Sequence, residues 1–189
     1  MKKNSIAFLI MLIFSTSVFA IGPIKFCFDG MCFDKKGWKN IQGGRELNTM
    51  TMTSVISGQS TKFFHGGKFT KVWFIIKKIT PIEKISIDDY VEKRFYEQKT
   101  QYNNMLLHPD LFQFTIVEEG ITPVIINNHQ AKVFGLQTKG NLNEYKRIYI
   151  FEKDGYFFEI QTNSDSNIVN SIQHTQLFFK ILSTFTFEP

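Results

Sequence analysis

The chain reads as an α+β protein. It is a single domain in which helices flank an antiparallel β-sheet, a helix–sheet–helix sandwich. Three observations lead there. Asp29-Gly30, Asn127-Asn128 and Asp154-Gly155 each sit between β-type segments. Such pairs favour the backbone that tight hairpin turns need, so the strands they join run antiparallel. Two segments carry apolar residues at helical spacing, from Ile87 to Tyr102 and from Ile168 to Leu182. Each has one apolar face, and a one-faced helix needs a sheet to cover.

The elements follow in order. Lys2 and Lys3 precede a short apolar run from Ile6 to Phe14, then Ser15 to Ala20. A basic start, a short apolar core and a small residue at the cleavage point predict a secretory signal peptide over 1–20, leaving a domain of 21–189. The apolar run is shorter than the roughly 20 residues of a membrane span, so no stable span is expected in the mature chain.

Ile24 to Phe28 and Met31 to Phe33 form a first hairpin about Asp29-Gly30. Cys27 then faces Cys32 one rung beyond the turn. In an oxidising compartment the two are expected to form a disulfide. A redox or metal role is the alternative, but Cys-x4-Cys is neither a Cys-x-x-Cys motif nor a full ligand set. Trp38 reads as an anchor to the core, and Gly43-Gly44 as a loop signal. Glu46 to Ser57 reads as one strand, and Gln59 to Lys68 as a polar loop around His65. Phe69 to Ile79 reads as a buried strand ended by Pro81.

Ser86 is the expected N-cap of a helix over 87–103, with Asp88 and Asp89 suited to its first turn. Its buried stripe is Ile87, Val91, Phe95, Gln98 and Tyr102. His108-Pro109-Asp110 breaks the helical pattern. Alternation then begins at Phe112, with a turn at Gly120 to Pro123. Strands flank Asn127-Asn128, and Tyr145 to Phe151 pairs with Tyr156 to Gln161. Asn163-Ser164-Asp165 reads as the cap of the last helix, whose stripe is Ile168, Ile172, Thr175, Phe179 and Leu182, widened by Val169 and Phe178. Ser183 to Phe187 is a short tail.

Composition excludes some functions. The net charge is +5, two of it from Lys2 and Lys3, and the remaining basic residues are interspersed with acids. That is a solvated surface rather than a nucleic-acid footprint. The 21 phenylalanines are read as core filling before any aromatic binding surface is invoked. No Asn-x-Ser/Thr sequon occurs, so a bacterial envelope or supernatant location fits better than a glycosylating route.

Four segments resemble the PsbP-like family of plant photosystem subunits, Mog-type Ran-binding proteins and small bacterial exported proteins. They are Ser86 to Val91, the turn Ile126 to Ala131, the hairpin Tyr145 to Tyr156, and the ending Phe178 to Phe185. The resemblance spans roughly Ser86 to Phe187, with His129-Gln130 standing where the family has a small residue. It implies an α-β-α sandwich and a non-catalytic binding or assembly role.

No residues are assigned to catalysis, a metal or a cofactor. His65, His108, His129 and His174 stand in no ligand spacing, and no Gly-x-Ser-x-Gly or phosphate loop occurs. Phe63, Phe64 and His65 form a candidate binding loop, because paired Phe is unexpected in a polar stretch. Folding back on the sheet edge is the alternative. The expected function is an exported, periplasmic, non-catalytic adaptor acting on an unidentified protein partner. A secreted factor acting on a host or competitor, and an enzyme with an unrecognised site, are the alternatives.

Overall fold

In a computed structural model the described residues are 25–34, 39–51, 54–65, 72–80, 84–165 and 171–188. The expected leader 1–20, Trp38, Gly66-Gly67, Pro81 and Ile168-Val169 lie outside them.

The three hairpin turns form as their residues dictate. Asp29, Gly30, Asn127, Asn128, Asp154 and Gly155 all take positive φ, the signature of type I′ turns. The first joins β1 (Lys25–Phe28) to β2 (Met31–Asp34). Then come β3 (Lys39–Thr51), β4 (Ser54–His65) and β5 (Val72–Thr80). Helix α1 spans Ile87–Leu106. Strands β6 (Phe114–Ile126), β7 (His129–Gly140), β8 (Glu144–Lys153) and β9 (Tyr156–Asp165) follow. Helix α2 (Ser171–Leu182) and β10 (Thr186–Phe187) close the chain. One sheet has the order β3-β4-β5-β9-β8-β7-β6, and a small one has β1-β2-β10. All pairings are antiparallel, which makes the class α+β.

Strand alternation divides the core in two. Tyr149 and Phe151 of β8 pack with Phe178, Ile181 and Leu182 of α2 and with Phe28, Met31 and Phe33 of the first hairpin. Ile148 and Ile150 pack instead with Tyr90 and Val91 of α1. Neighbouring residues of a strand point to opposite faces, so each parity of β8 serves a different helix. Phe33 lies against Phe74 and Phe185, with ring centroids 5.3 and 5.0 Å away.

Ser86 caps α1 as expected, its hydroxyl oxygen accepting from the Asp89 amide at 3.1 Å. Several other expectations are corrected. The polar stretch holding Phe63, Phe64 and His65 is strand, not loop: Phe63 is paired with Phe74, Phe64 with Trp73 and His65 with Val72. Pairing on both sides of β4 overrides the turn signals of its polar sequence. Gly43-Gly44 lies in β3 within a register shift between Gln42 and Arg45, and Gly120 to Pro123 holds a register shift within β6 rather than a turn. Pro123 is tolerated because β6 is an edge strand. Asn163 and Ser164 do not cap a helix. They are buried in β9, kept there by pairing with Lys146 and Tyr145. The tail is also more than an ending, since Thr186 and Phe187 pair with Cys32 and Met31.

Candidate functional site

A polar seam runs between α1 and the large sheet. Tyr90, Arg94, Gln98 and Tyr102 are four residues apart and all buried, so they descend one side of the helix. The sheet offers Glu159, Gln161 and Asn163, alternate residues of β9, with Glu144 and Lys146 of β8. Glu159 is fully buried. Its carboxylate accepts from Tyr90 Oη at 2.6 Å, from Arg94 Nε at 2.5 Å and from Arg94 Nη2 at 3.2 Å. Lys77 Nζ stands 3.3 Å away. Burial alone would raise this carboxyl, but Arg94, Lys77 and the donated hydrogen bonds bring it down to about 2. Burial and the neighbouring Glu159 carboxylate push the Tyr90 phenol well up.

Further along, Tyr102 Oη donates to Glu144 at 2.6 Å, and Asn163 donates to the other Glu144 oxygen. Lys146 donates to Gln98 at 3.1 Å and lies over the Tyr102 ring. Burial lowers its ammonium, while Glu144 pulls the other way. These charges are spent on one another, which suits fixing the register of α1 rather than proton transfer to a substrate.

The opposite face holds His174 of α2, fully buried. Thr162 Oγ1 is 2.8 Å from its Nε2, and Ser164 Oγ bonds Nδ1. A neutral imidazole offers one donor and one acceptor, and two hydroxyls match that need. Burial, with the nearby Arg147 cation, pushes the ring down to about 3. Arg147 itself bonds Glu119 at 2.9 Å and Thr175 at 2.7 Å. Ser164 beside His174 is not a nucleophile pair of the catalytic kind: both are inaccessible, and the far nitrogen meets a hydroxyl instead of a carboxylate.

Two surface features stand apart from these networks. A groove of about 750 Å³ lies between the start of α1 and the β8–β9 turn, lined by Ile85, Ser86, Ile87, Glu152, Gly155 and Phe157 among others. On α2, Ile172 and Phe179 are 67% and 63% exposed. Seven residues apart, they share one side of the helix. This corrects the expected stripe, in which both were core residues. Among the described residues the buried side is His174, Phe178, Ile181 and Leu182, of which Phe178 and Leu182 were expected.

A comparison with solved structures decides the architecture. The solution structure of cyanobacterial PsbP (CyanoP) from Synechocystis superposes with a TM-score of 0.52, over 88% of this chain and 100% of that one. The fold is PsbP-like. Sequence identity is 11%, so the likeness is one of fold. No family model and no curated protein matches the sequence.

The PsbP-like fold places the residues singled out from sequence as follows. Cys27 faces Cys32 with Cα atoms 4.0 Å apart, and their sulfurs are bonded. These two and Glu188 converge as a ligand-like trio, but the metal ligand is the thiolate, and sulfurs oxidised to a disulfide offer none. Phe63, Phe64 and His65 end β4. Among the described side chains, His108, His129 and His174 are not brought together. His108 is exposed after α1, His129 meets the edge of Phe187 at 4.9 Å, and His174 is in the core. Glu159, Arg94, Tyr90 and Lys77 were not singled out from sequence. The four-residue ladder Tyr90, Arg94, Gln98, Tyr102 was a usable signal, because polar groups at that spacing beside a buried stripe need partners across the interface.

Proposed function

We propose that this chain is an exported, non-catalytic accessory module that acts through protein–protein contact, on the periplasmic side of an envelope. Its parts would be a leader over 1–20 and one helix–sheet–helix sandwich over 21–189. The observation that carries the reading is the division of side chains. Buried ionisable groups are paired inward, as Glu159 with Arg94, and the half-buried Glu119 at the sheet edge is paired with Arg147. Ile172 and Phe179 are left facing solvent on α2. Exposed apolar residues on one helix side suit a docking surface better than chemistry does. The disulfide supports an oxidising compartment. Phe63, Phe64 and His65, at the end of β4, are a second proposed contact.

The test is affinity capture from the cell envelope with the mature protein and with Ile172→Ser/Phe179→Ser. The double variant should lose the captured partner while melting at an unchanged temperature. Equal capture by both forms would remove α2 from the reading. Replacing Phe63 and Phe64 by Ser probes the second contact in the same assay. Cell fractionation tests export: precursor-length protein in the cytosol counts against it, and mature protein in the supernatant favours a secreted factor.

A further inference from the structure

The C-terminal strand ends against the disulfide. Glu188 donates its backbone N–H to the Gly30 carbonyl at 2.8 Å, which fixes the tail across the first hairpin. Its side chain then brings Oε2 within 3.7 Å of Cys27 Sγ. A disulfide sulfur carries no proton, so this contact is no hydrogen bond. It sets a negative charge beside the bond. Cys27 is exposed and Cys32 is fully buried, so a reductant from solvent must approach at Cys27. Lys25 Nζ pairs with the other Glu188 oxygen, Oε1, and Lys153 Nζ reaches the Glu188 carbonyl at 3.3 Å. The other charges nearby are engaged or further along the hairpin: Asp29 pairs with Lys78 at 2.9 Å, and Asp34 lies across from Lys25.

We infer that Glu188 guards the Cys27–Cys32 disulfide, its carboxylate repelling the thiolates that would reduce it. Reduction begins when a thiolate attacks Cys27 Sγ. A new S–S bond forms there as the bond to Cys32 breaks, and Cys32 leaves as a thiolate that takes a proton. A second thiolate attacks the external sulfur of that mixed disulfide and releases Cys27, with the two reductant sulfurs oxidised to a disulfide. The first step brings an anion next to Glu188. It is therefore slowed most for reductants that carry a further negative charge. The tail and the bond are coupled by this contact, so a docked tail keeps the hairpin oxidised.

The experiment compares reduction of the oxidised protein by 3-mercaptopropionate and by cysteamine, each in excess. Alkylation and mass spectrometry follow the free thiols, and rates are expressed per thiolate. One unit charge at this range in water is worth about a threefold to fivefold change in rate. The wild type should favour cysteamine by less than that factor, because Lys25 offsets part of the Glu188 charge. Glu188→Gln leaves Lys25 uncompensated and should move the ratio to one or below, and Lys25→Gln should widen it in favour of cysteamine, with melting temperatures confirming the fold of both. Raising salt from about 20 mM to about 0.5 M should compress the wild-type ratio, a readout that needs no variant. A salt-independent ratio would overturn the inference. So would variants that speed both reagents alike, since that outcome means a loosened tail rather than a charge effect.

Discussion

Replacing Glu159 by Ala is the most demanding perturbation of the polar seam. The carboxylate is fully buried and takes three hydrogen bonds from Arg94 and Tyr90, with Lys77 as a second cation. Removing it leaves the Arg94 guanidinium inside the protein, its remaining partner being Glu97 at 2.5 Å. Breaking one side of such a pair costs about 3 to 5 kcal/mol, most of it the desolvated charge left behind. Replacing Glu159 and Arg94 together by Met removes both charges, and the double change should cost less than either single one. Urea unfolding followed by circular dichroism measures all three. The pH dependence gives a second reading with a definite sign. Glu159 is held at about 2, below the 4.5 of an ordinary glutamate. Its stabilisation is therefore present above pH 4.5 and lost as pH falls towards 2. Integrated over that window it amounts to on the order of 3 kcal/mol. A single Glu159→Ala variant within about 1 kcal/mol of wild type, or singles whose costs simply add, would refute the argument that the pair is held by charge.

Three further outcomes are expected. His174 is neutral in the core and held at about 3, so the unfolded chain binds its proton first as pH drops below 6.5. Stability should fall with acidification through that range, and His174→Gln should flatten the slope of urea midpoint against pH. Replacing both Cys27 and Cys32 by Ser should cost about 2 kcal/mol, the modest value of a short loop, and leave the spectrum folded. Gly140 has φ of +152°, and a Cβ there would meet the Gln113 carbonyl oxygen at 2.1 Å. Gly140→Ala should therefore lower stability by about 2 kcal/mol or more, read from thermal melts.

Local chemistry decided much of this protein. Asp29-Gly30, Asn127-Asn128 and Asp154-Gly155 set three turns because few residues accept positive φ; each turn determined which two strands pair, and the first also determined that the cysteines meet. Ser86 with Asp89 set the start of α1 for the same kind of reason, a nearest-neighbour hydrogen bond. Strand β4 was misread from sequence: its start was merged with the end of β3 into one strand, and from Gln59 its Ser, Gln, Thr and Lys signal a loop until neighbours on both sides supply backbone partners. The side of α2 was misread as well. Ile172 and Phe179 look like core by hydropathy, whereas His174 is the residue that two hydroxyls of β9 draw inward. The seam was half visible: Gln98 and Tyr102 were on the expected stripe, but Glu159 reads like any surface acid of a strand. Its role exists only where β9 runs beneath α1 and brings Arg94, 65 residues away in sequence, within bonding distance. Turns and caps are set by residues adjacent in the chain, so the sequence alone determines them. Which charge is buried, and which apolar face is left bare, depends on contacts between distant segments, and only the folded chain decides that.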